Sequence, residues 1–236
     1  MRTAAIMLGL CGGLTSALPL HAADFTPPSG CDVYLTAQLR NCQVANFYRC
    51  AADPEGDQRV AYADGNGIYF DSRIDSETRW IESHTIETGE IDRLDMDASR
   101  DNASFSALLS EGRDDYDFVM RNNFGETRRY KGHDTLTGES VTIDGMPLQK
   151  CSFEIHEYDG AGQLLSTRSG MQYISAKFRI FLSGPERFEN SAGDRTSFDD
   201  SPMRFDGPGD PGFSSQTPQY GCDMMMTGSV PAGRRS

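Results

Sequence analysis

Positive charge is what this chain has least of. Its 236 residues carry 22 Lys and Arg against 35 Asp and Glu, a formal net charge of −13, and so acidic a body repels phosphate backbones and anionic lipid surfaces alike. Nucleic acid and the membrane surface are therefore poor partners. Long apolar runs are missing beyond the first 22 residues, and since a spanning helix needs about 20 consecutive apolar residues, no later stretch qualifies as a transmembrane segment. Histidine is sparse too: there are four, and no active-site signature surrounds any of them.

What is present at the start is an export pattern. Arg2 precedes an apolar stretch from Ala4 to Leu20 and then Pro19-Leu20-His21-Ala22, which are the charged end, apolar middle and small residue of a secretory signal. Cleavage is expected after Ala22, with Ala23 as the alternative. Gly9, Gly12 and Gly13 argue against a membrane anchor, and the bulky Leu10 before Cys11 argues against a lipoprotein. The expectation is a soluble, exported, periplasmic protein. Removing residues 1–22 takes away Arg2 alone among the charges, so the remaining 214 residues carry a net charge of −14 before termini. That length suits a single all-β domain over 23–222, with a disordered tail at 223–236.

The stretch from Arg128 to Leu182 is the most legible. Apolar and polar residues alternate through Val141 and Ile143, Phe153 and Ile155, and Phe178, Ile180 and Leu182, and the runs are separated by Thr-Gly, Asp-Gly and Asp-Gly-Ala-Gly. Those are the turn chemistries of antiparallel hairpins. The fold class is mainly β: a single antiparallel curved sheet or half-barrel built from consecutive hairpins. One short helix is expected at about 102–112, where Asp101 or Asn102 caps the start, Phe105, Leu108 and Leu109 recur at helical spacing, and Gly112 stops it. So short a helix is unstable alone and must lie on the sheet. After Leu182 the chain turns rich in Gly, Pro and Asp, with isolated Phe188, Phe198, Phe205 and Phe213. Residues 183–222 read as an ordered loop draped over the sheet and anchored by those aromatics.

A weak internal repeat links two segments. His84-Thr-Ile-Glu-Thr-Gly-Glu90 returns as His133-Asp-Thr-Leu-Thr-Gly-Glu139, each after an Arg and an aromatic. It reads as a duplicated hairpin turning at Thr-Gly.

Export places the thiols in an oxidising space where pairs become crosslinks. Five cysteines follow residue 22, so one is left over. If Arg40-Asn41 is a two-residue hairpin turn, Cys31 faces Cys50, and Cys42, beside the turn, is free to reach Cys222. Pairings Cys42–Cys50 and Cys31–Cys222 stay open as rivals. Cys151, in mid-strand, is expected to be the unpaired thiol, packed as a small hydrophobe.

Four side chains are candidates for chemistry. Alternation puts Glu154 and His156 on one strand face, the beginning of a metal or general-base site, and the repeat offers His84 or His133 as a third member. The competing reading makes Glu154 and His156 a cross-strand polar pair on an outer face and each remaining histidine a hairpin-edge residue. Asp114, Asp115 and Asp117 read as the solvated entry to a strand. Asp206–Gly212 lacks the ligand spacing of a calcium loop, and Met224–Met226 suggest soft copper ligands less than a mobile hydrophobic tail.

Tyr116-Asp-Phe118, Tyr130-Lys-Gly132, Leu136-Thr-Gly-Glu139, Ile143-Asp-Gly145, Ser169-Gly170, the run Arg179–Pro185 and Tyr220-Gly-Cys222-Asp together resemble an uncharacterised family of exported alphaproteobacterial proteins. The resemblance covers most of the chain after residue 22 and implies no activity, cofactor or functional residue. In strand pattern alone the chain also resembles the curved half-barrel sheets of lipoprotein-sorting carriers, which bears on fold and not on function. The first functional expectation is non-catalytic binding of a small apolar or amphipathic ligand, or of an envelope protein, on the concave side of the sheet. The alternatives are a metal-assisted hydrolase using Glu154, His156 and either His84 or His133, and a structural or interaction module.

Overall fold

The computed structural model describes residues 24–223. The export signal at 1–22, its cleavage point, Cys11 and Met224–Met226 lie outside the described residues, as does all but the first residue of the expected tail. Thirteen strands and one helix follow in order. They are β1 (Cys31–Leu39), β2 (Gln43–Cys50), β3 (Gln58–Asp64), β4 (Gly67–Ile74), β5 (Trp80–Thr85), β6 (Glu90–Leu94), α1 (Phe105–Glu111), β7 (Arg113–Asn122), β8 (Thr127–Ile143), β9 (Met146–Asp159), β10 (Leu164–Ser175), β11 (Ile180–Asn190), β12 (Arg195–Asp199) and β13 (Pro202–Asp206).

All thirteen belong to one antiparallel sheet, and from β1 to β12 each strand lies beside its successor in sequence. Only β13 breaks the rule: it pairs with β1 instead of β12. The two outermost strands are thus consecutive in the chain, separated by Asp200 and Ser201, and the step from Asp199 to Pro202 spans at most about 10 Å. The sheet has to roll until its edges nearly meet. It stays unclosed as a ladder, and the seam is stitched instead by the Arg40 amide on the Ser201 carbonyl at 3.0 Å, the Asp200 amide on the Gly184 carbonyl at 3.4 Å, and the Asn41 and Gln43 side chains on Asp200.

Rolling needs places where strands come unusually close, and glycine supplies them. Gly132 on β8 sits opposite Tyr116 on β7 and Ile155 on β9, and a Cβ there would strike the Glu154 carbonyl and lie 2.9 Å from the Tyr116 ring. Gly170 on β10 is pressed in the same way against Pro185 and Glu186 of β11.

The roll buries two apolar layers. Leu35, Ala37, Leu39, Ala45 and Phe47, on one face of β1 and β2, pack against Leu148, Ile180 and Leu182 at the ends of the β8–β9 and β10–β11 hairpins. On the other face of those hairpin ends Cys151, Ile174 and Phe181 receive Phe105 and Leu108 of α1. The helix is therefore a plug held by the sheet, as its length demanded. It starts at Phe105 and not at 102, because Ser104 caps it through the Ala107 amide, and Gly112 ends it with φ 80°. The expected caps Asp101 and Asn102 lie outside the helix: Asp101 forms an isolated bridge to Asp117.

Two hairpin expectations need correction. The first turn is one residue longer than expected, since Leu39 pairs with Gln43 and both Asn41 and Cys42 take positive φ. A register shift between Val33 and Leu35 restores the pairing, so Cys31 still faces Cys50. The repeat is not a duplicated hairpin. Its first copy turns at Gly89, between β5 and β6, but the second runs straight through β8, where Thr137-Gly138-Glu139 makes an irregularity between Leu136 and Ser140. The strand continues because Ser140–Ile143 still finds Met146–Gln149 to pair with, and the reversal waits for Asp144-Gly145, whose φ values of 45° and 77° suit a tight hairpin turn.

The segment after Leu182 is less of a loop than its composition suggests. Residues up to Asn190 continue β11, and β12 and β13 supply the two sheet edges, where proline at a strand start is tolerated. Residues 207–222 are the true loop. They cover the outer face of β1 and β2, where buried polar side chains anchor them; of the expected aromatics, Phe205 on β13 packs against the core. Thr36, Gln38 and Asn46 are fully buried. Thr36 Oγ1 accepts from the Ser214 amide, Asn46 Nδ2 donates to the Ser215 carbonyl, and Gln38 donates to the Thr217 carbonyl while accepting from the Gln219 amide. Disulfides Cys31–Cys50 and Cys42–Cys222 complete the strapping, and Cys151 is free and buried. Among the described residues no helix is long and apolar enough to cross a membrane.

Candidate functional site

The roll encloses a cavity of about 490 Å³ lined by residues of α1 and of every strand from β2 to β11. Its middle is aromatic, for a reason visible in the strand register: Phe118 on β7 faces Tyr130 on β8, and the two rings stack with centroids 5.2 Å apart. Trp80 closes over them edge-on, at 5.6 and 5.7 Å, and remains 43% exposed. Leu94, Met120, Phe153 and Ile155 complete this apolar wall.

Beside the helix the lining changes character. Asp114 and Asp134 are cross-strand partners on β7 and β8, so both carboxylates project from the same face, within about 5 Å of each other at Cβ. Asp134 is 8% exposed and accepts a hydrogen bond from Gln172 on one oxygen. Asp114 is half-buried and accepts from the Ser104 amide at 2.8 Å. Burial raises Asp114 to about 6, with Asp101, Asp115 and Glu77 adding to it. Burial raises Asp134 to about 7, and the Asp114 charge pushes the same way. Neither forms an ion pair among the described residues, and the lining also holds Asn102, whose buried Oδ1 has no hydrogen-bond partner. Cys151 lies close by, but burial, reinforced by Asp134, pushes its thiol up to about 12. It stays protonated and is a poor nucleophile at neutral pH.

The charges in the cavity do not balance. Its three cations are each committed to a carboxylate: Arg59 to Asp53 at 2.6 Å, Arg79 to Asp75 at 2.6 Å and Arg168 to Glu186 at 2.7 Å. Asp92, Asp114 and Asp134 are in no ion pair among the described residues.

The four side chains singled out from the sequence lie elsewhere. Ser83, Asp134, Phe153 and Ile155 line the cavity, so alternation turns His84, His133, Glu154 and His156 to the opposite, outer face. His156 is held between Glu154, at 2.9 Å from Nε2, and Thr167, at 3.0 Å from Nδ1. His133 is the register partner of Glu154. His84, on β5, is three strands from β8, roughly 14 Å at the usual spacing of about 4.8 Å, and cannot share an ion with His133. Among the described residues no group of three or more His, Cys, Asp or Glu side chains is arranged to hold a metal.

Sequence reasoning missed Asp114, Asp134, Asn102 and Gln172. Asp114 in particular is not part of a solvated acidic entry. Asp115 and Asp117 do face outward, to Arg113 and Arg129, whereas Asp114 shares the phase of Tyr116 and Phe118. That alternation was the available signal. No family model, no curated protein and no solved structure matches this chain.

Proposed function

We propose that this protein is an exported, non-catalytic carrier that holds a small amphipathic molecule inside the rolled sheet. The observation behind the reading is the cavity itself: its volume of about 490 Å³ falls in the range of ligand sites, roughly 300–1,000 Å³, and its mix of apolar wall and few convergent polar groups is the usual one. The two disulfides support export to an oxidising compartment, and kinship with exported alphaproteobacterial proteins belongs to the same proposal. Neither the helix nor the C-terminal loop fills the interior, since α1 plugs one part of it and residues 207–222 lie on the outer face of β1 and β2.

Trp80 makes the reading testable, because it is the single tryptophan of the chain and stands over the cavity's aromatic wall. Native mass spectrometry of protein isolated from its producing cells is expected to show a bound small molecule, and removing it is expected to change Trp80 emission. A chain that always isolates empty, with Trp80 emission indifferent to every medium-chain amphiphile, refutes the carrier reading.

A further inference from the structure

Resting on that reading, we infer that the ligand carries a cationic, donor-rich head, a primary ammonium group, and that this head is received by Asp114, Asp134 and Asn102. Three independent features of the lining lead there. The polar end offers acceptors in excess: Asp134 has a single hydrogen-bond partner, Gln172, on one of its two oxygens, and Asn102 Oδ1 is a buried acceptor with none. A buried acceptor without a donor costs free energy that a ligand's N–H groups recover. All the lining cations already have a carboxylate partner, so no lining cation carries an uncompensated charge that would favour a carboxylate or phosphate head.

Position supplies the third feature. Asp114 and Phe118 lie on the same face of β7, four residues apart, or roughly 13 Å at about 3.3 Å per residue. A head at the acidic pair therefore lays its apolar tail along Tyr116, Phe118 and Tyr130 toward Trp80. Like charges placed directly opposite on neighbouring strands repel, and a bound ammonium group is the element that turns this pair from a defect into a site. Burial first, and neighbouring acidic groups second, raise the proton affinities of Asp114 and Asp134.

The test is a matched series of eight-carbon amphiphiles, octylammonium, octanol and octanoate, titrated at pH 8 against the full chain and followed by Trp80 emission and by calorimetry. Octylammonium is expected to bind about tenfold or more tighter than octanol, the difference one charged hydrogen bond supplies, with octanoate the weakest. Asp134→Asn and, separately, Asp114→Asn are expected to reduce that preference, the ratio of octylammonium to octanol affinity, to under about threefold. Each keeps a side-chain acceptor, for Gln172 and Ser104 respectively, so the fold survives. Octanoate binding as tightly as octylammonium, or a preference that persists in both variants, overturns the inference and leaves the carrier reading standing. Failure of all three to bind overturns this inference, and in a chain that also isolates empty it overturns the carrier reading as well.

Discussion

Replacing Asp134 by asparagine is expected to stabilise the protein, and to do so more at pH 8 than at pH 5. The carboxyl is 8% exposed, faces Asp114 across the β7–β8 ladder and Cys151 and Gln172 from β9 and β10, and has no cation beside it. Its proton affinity in the folded chain is raised from the ordinary 3.8 to about 7. The folded state therefore holds a proton that the unfolded chain has released, and stability falls as pH rises from about 4 to about 7. Below that window both states are protonated and there is no penalty. At about 1.4 kcal/mol per pH unit the penalty is ~2 kcal/mol at pH 5 and approaches ~4 kcal/mol at pH 8, an upper figure because water entering the cavity reduces it. Asparagine cannot ionise and carries none of this slope. Urea denaturation of both proteins at the two pH values isolates the term, because the other carboxylates contribute to each alike. The expected result is that the variant's advantage grows by ~2–3 kcal/mol between pH 5 and pH 8. Equal advantages at the two pH values refute the placement of Asp134 in a cation-free interior.

Three other outcomes follow from the packing. Gly132→Ala puts a methyl group against the Glu154 carbonyl and the Tyr116 ring, and is expected to cost ~2–3 kcal/mol, seen in a thermal scan as a midpoint lowered by several degrees. Cys42→Ser opens a crosslink between positions 180 residues apart, for which chain entropy predicts a loss of up to about 5 kcal/mol; a denaturation midpoint equal to that of the parent protein contradicts it. Asn46→Ala strips donors and acceptors from a fully buried position that holds Thr36 and the Ser215 carbonyl, and is expected to cost about 1–3 kcal/mol and to speed hydrogen exchange in residues 213–219.

The parts of the fold legible in the sequence were those governed by local chemistry. Asp144-Gly145 and Asp159–Gly162 turn where their residues require it, the apolar stripe of Phe105 and Leu108 makes a helix that ends at Gly112, and the cysteine at the first turn reaches Cys222. The disulfide arithmetic succeeded through a compensation: a turn one residue longer than expected and an irregularity at Val33–Leu35 cancel. Misreadings came wherever a distant strand decided the outcome. Thr137-Gly138 has the same local chemistry as Thr88-Gly89, yet does not turn, because Met146–Gln149 offers the next four residues a ladder. Arg195–Asp199 and Pro202–Asp206 have loop-like composition but find free edges on β11 and β1. The buried outer polar row of Thr36, Gln38 and Asn46 was invisible, because nothing in β1 or β2 announces that a segment some 170 residues later will satisfy it.

The candidate site escaped notice for a related reason. Histidines and ligand spacings are the usual marks of chemistry in a sequence, and here those residues occupy the outer face, where His156 and Glu154 form a polar pair of ordinary kind. The groups that face inward are aspartates, whose sequence neighbours are also acidic, so Asp114 is disguised by Asp115 and Asp117. Alternation separates them: an aspartate in phase with Tyr116 and Phe118 must accompany those rings into the interior, and its partner Asp134 is in phase with Tyr130. A fold selected for stability alone would place apolar residues at both positions, since the pair disfavours the folded state by several kcal/mol at neutral pH. Sequences break their own local rules where function requires it. Asp114 and Asp134 break such a rule at the end of an aromatic cavity, and this supports the proposed cationic ligand.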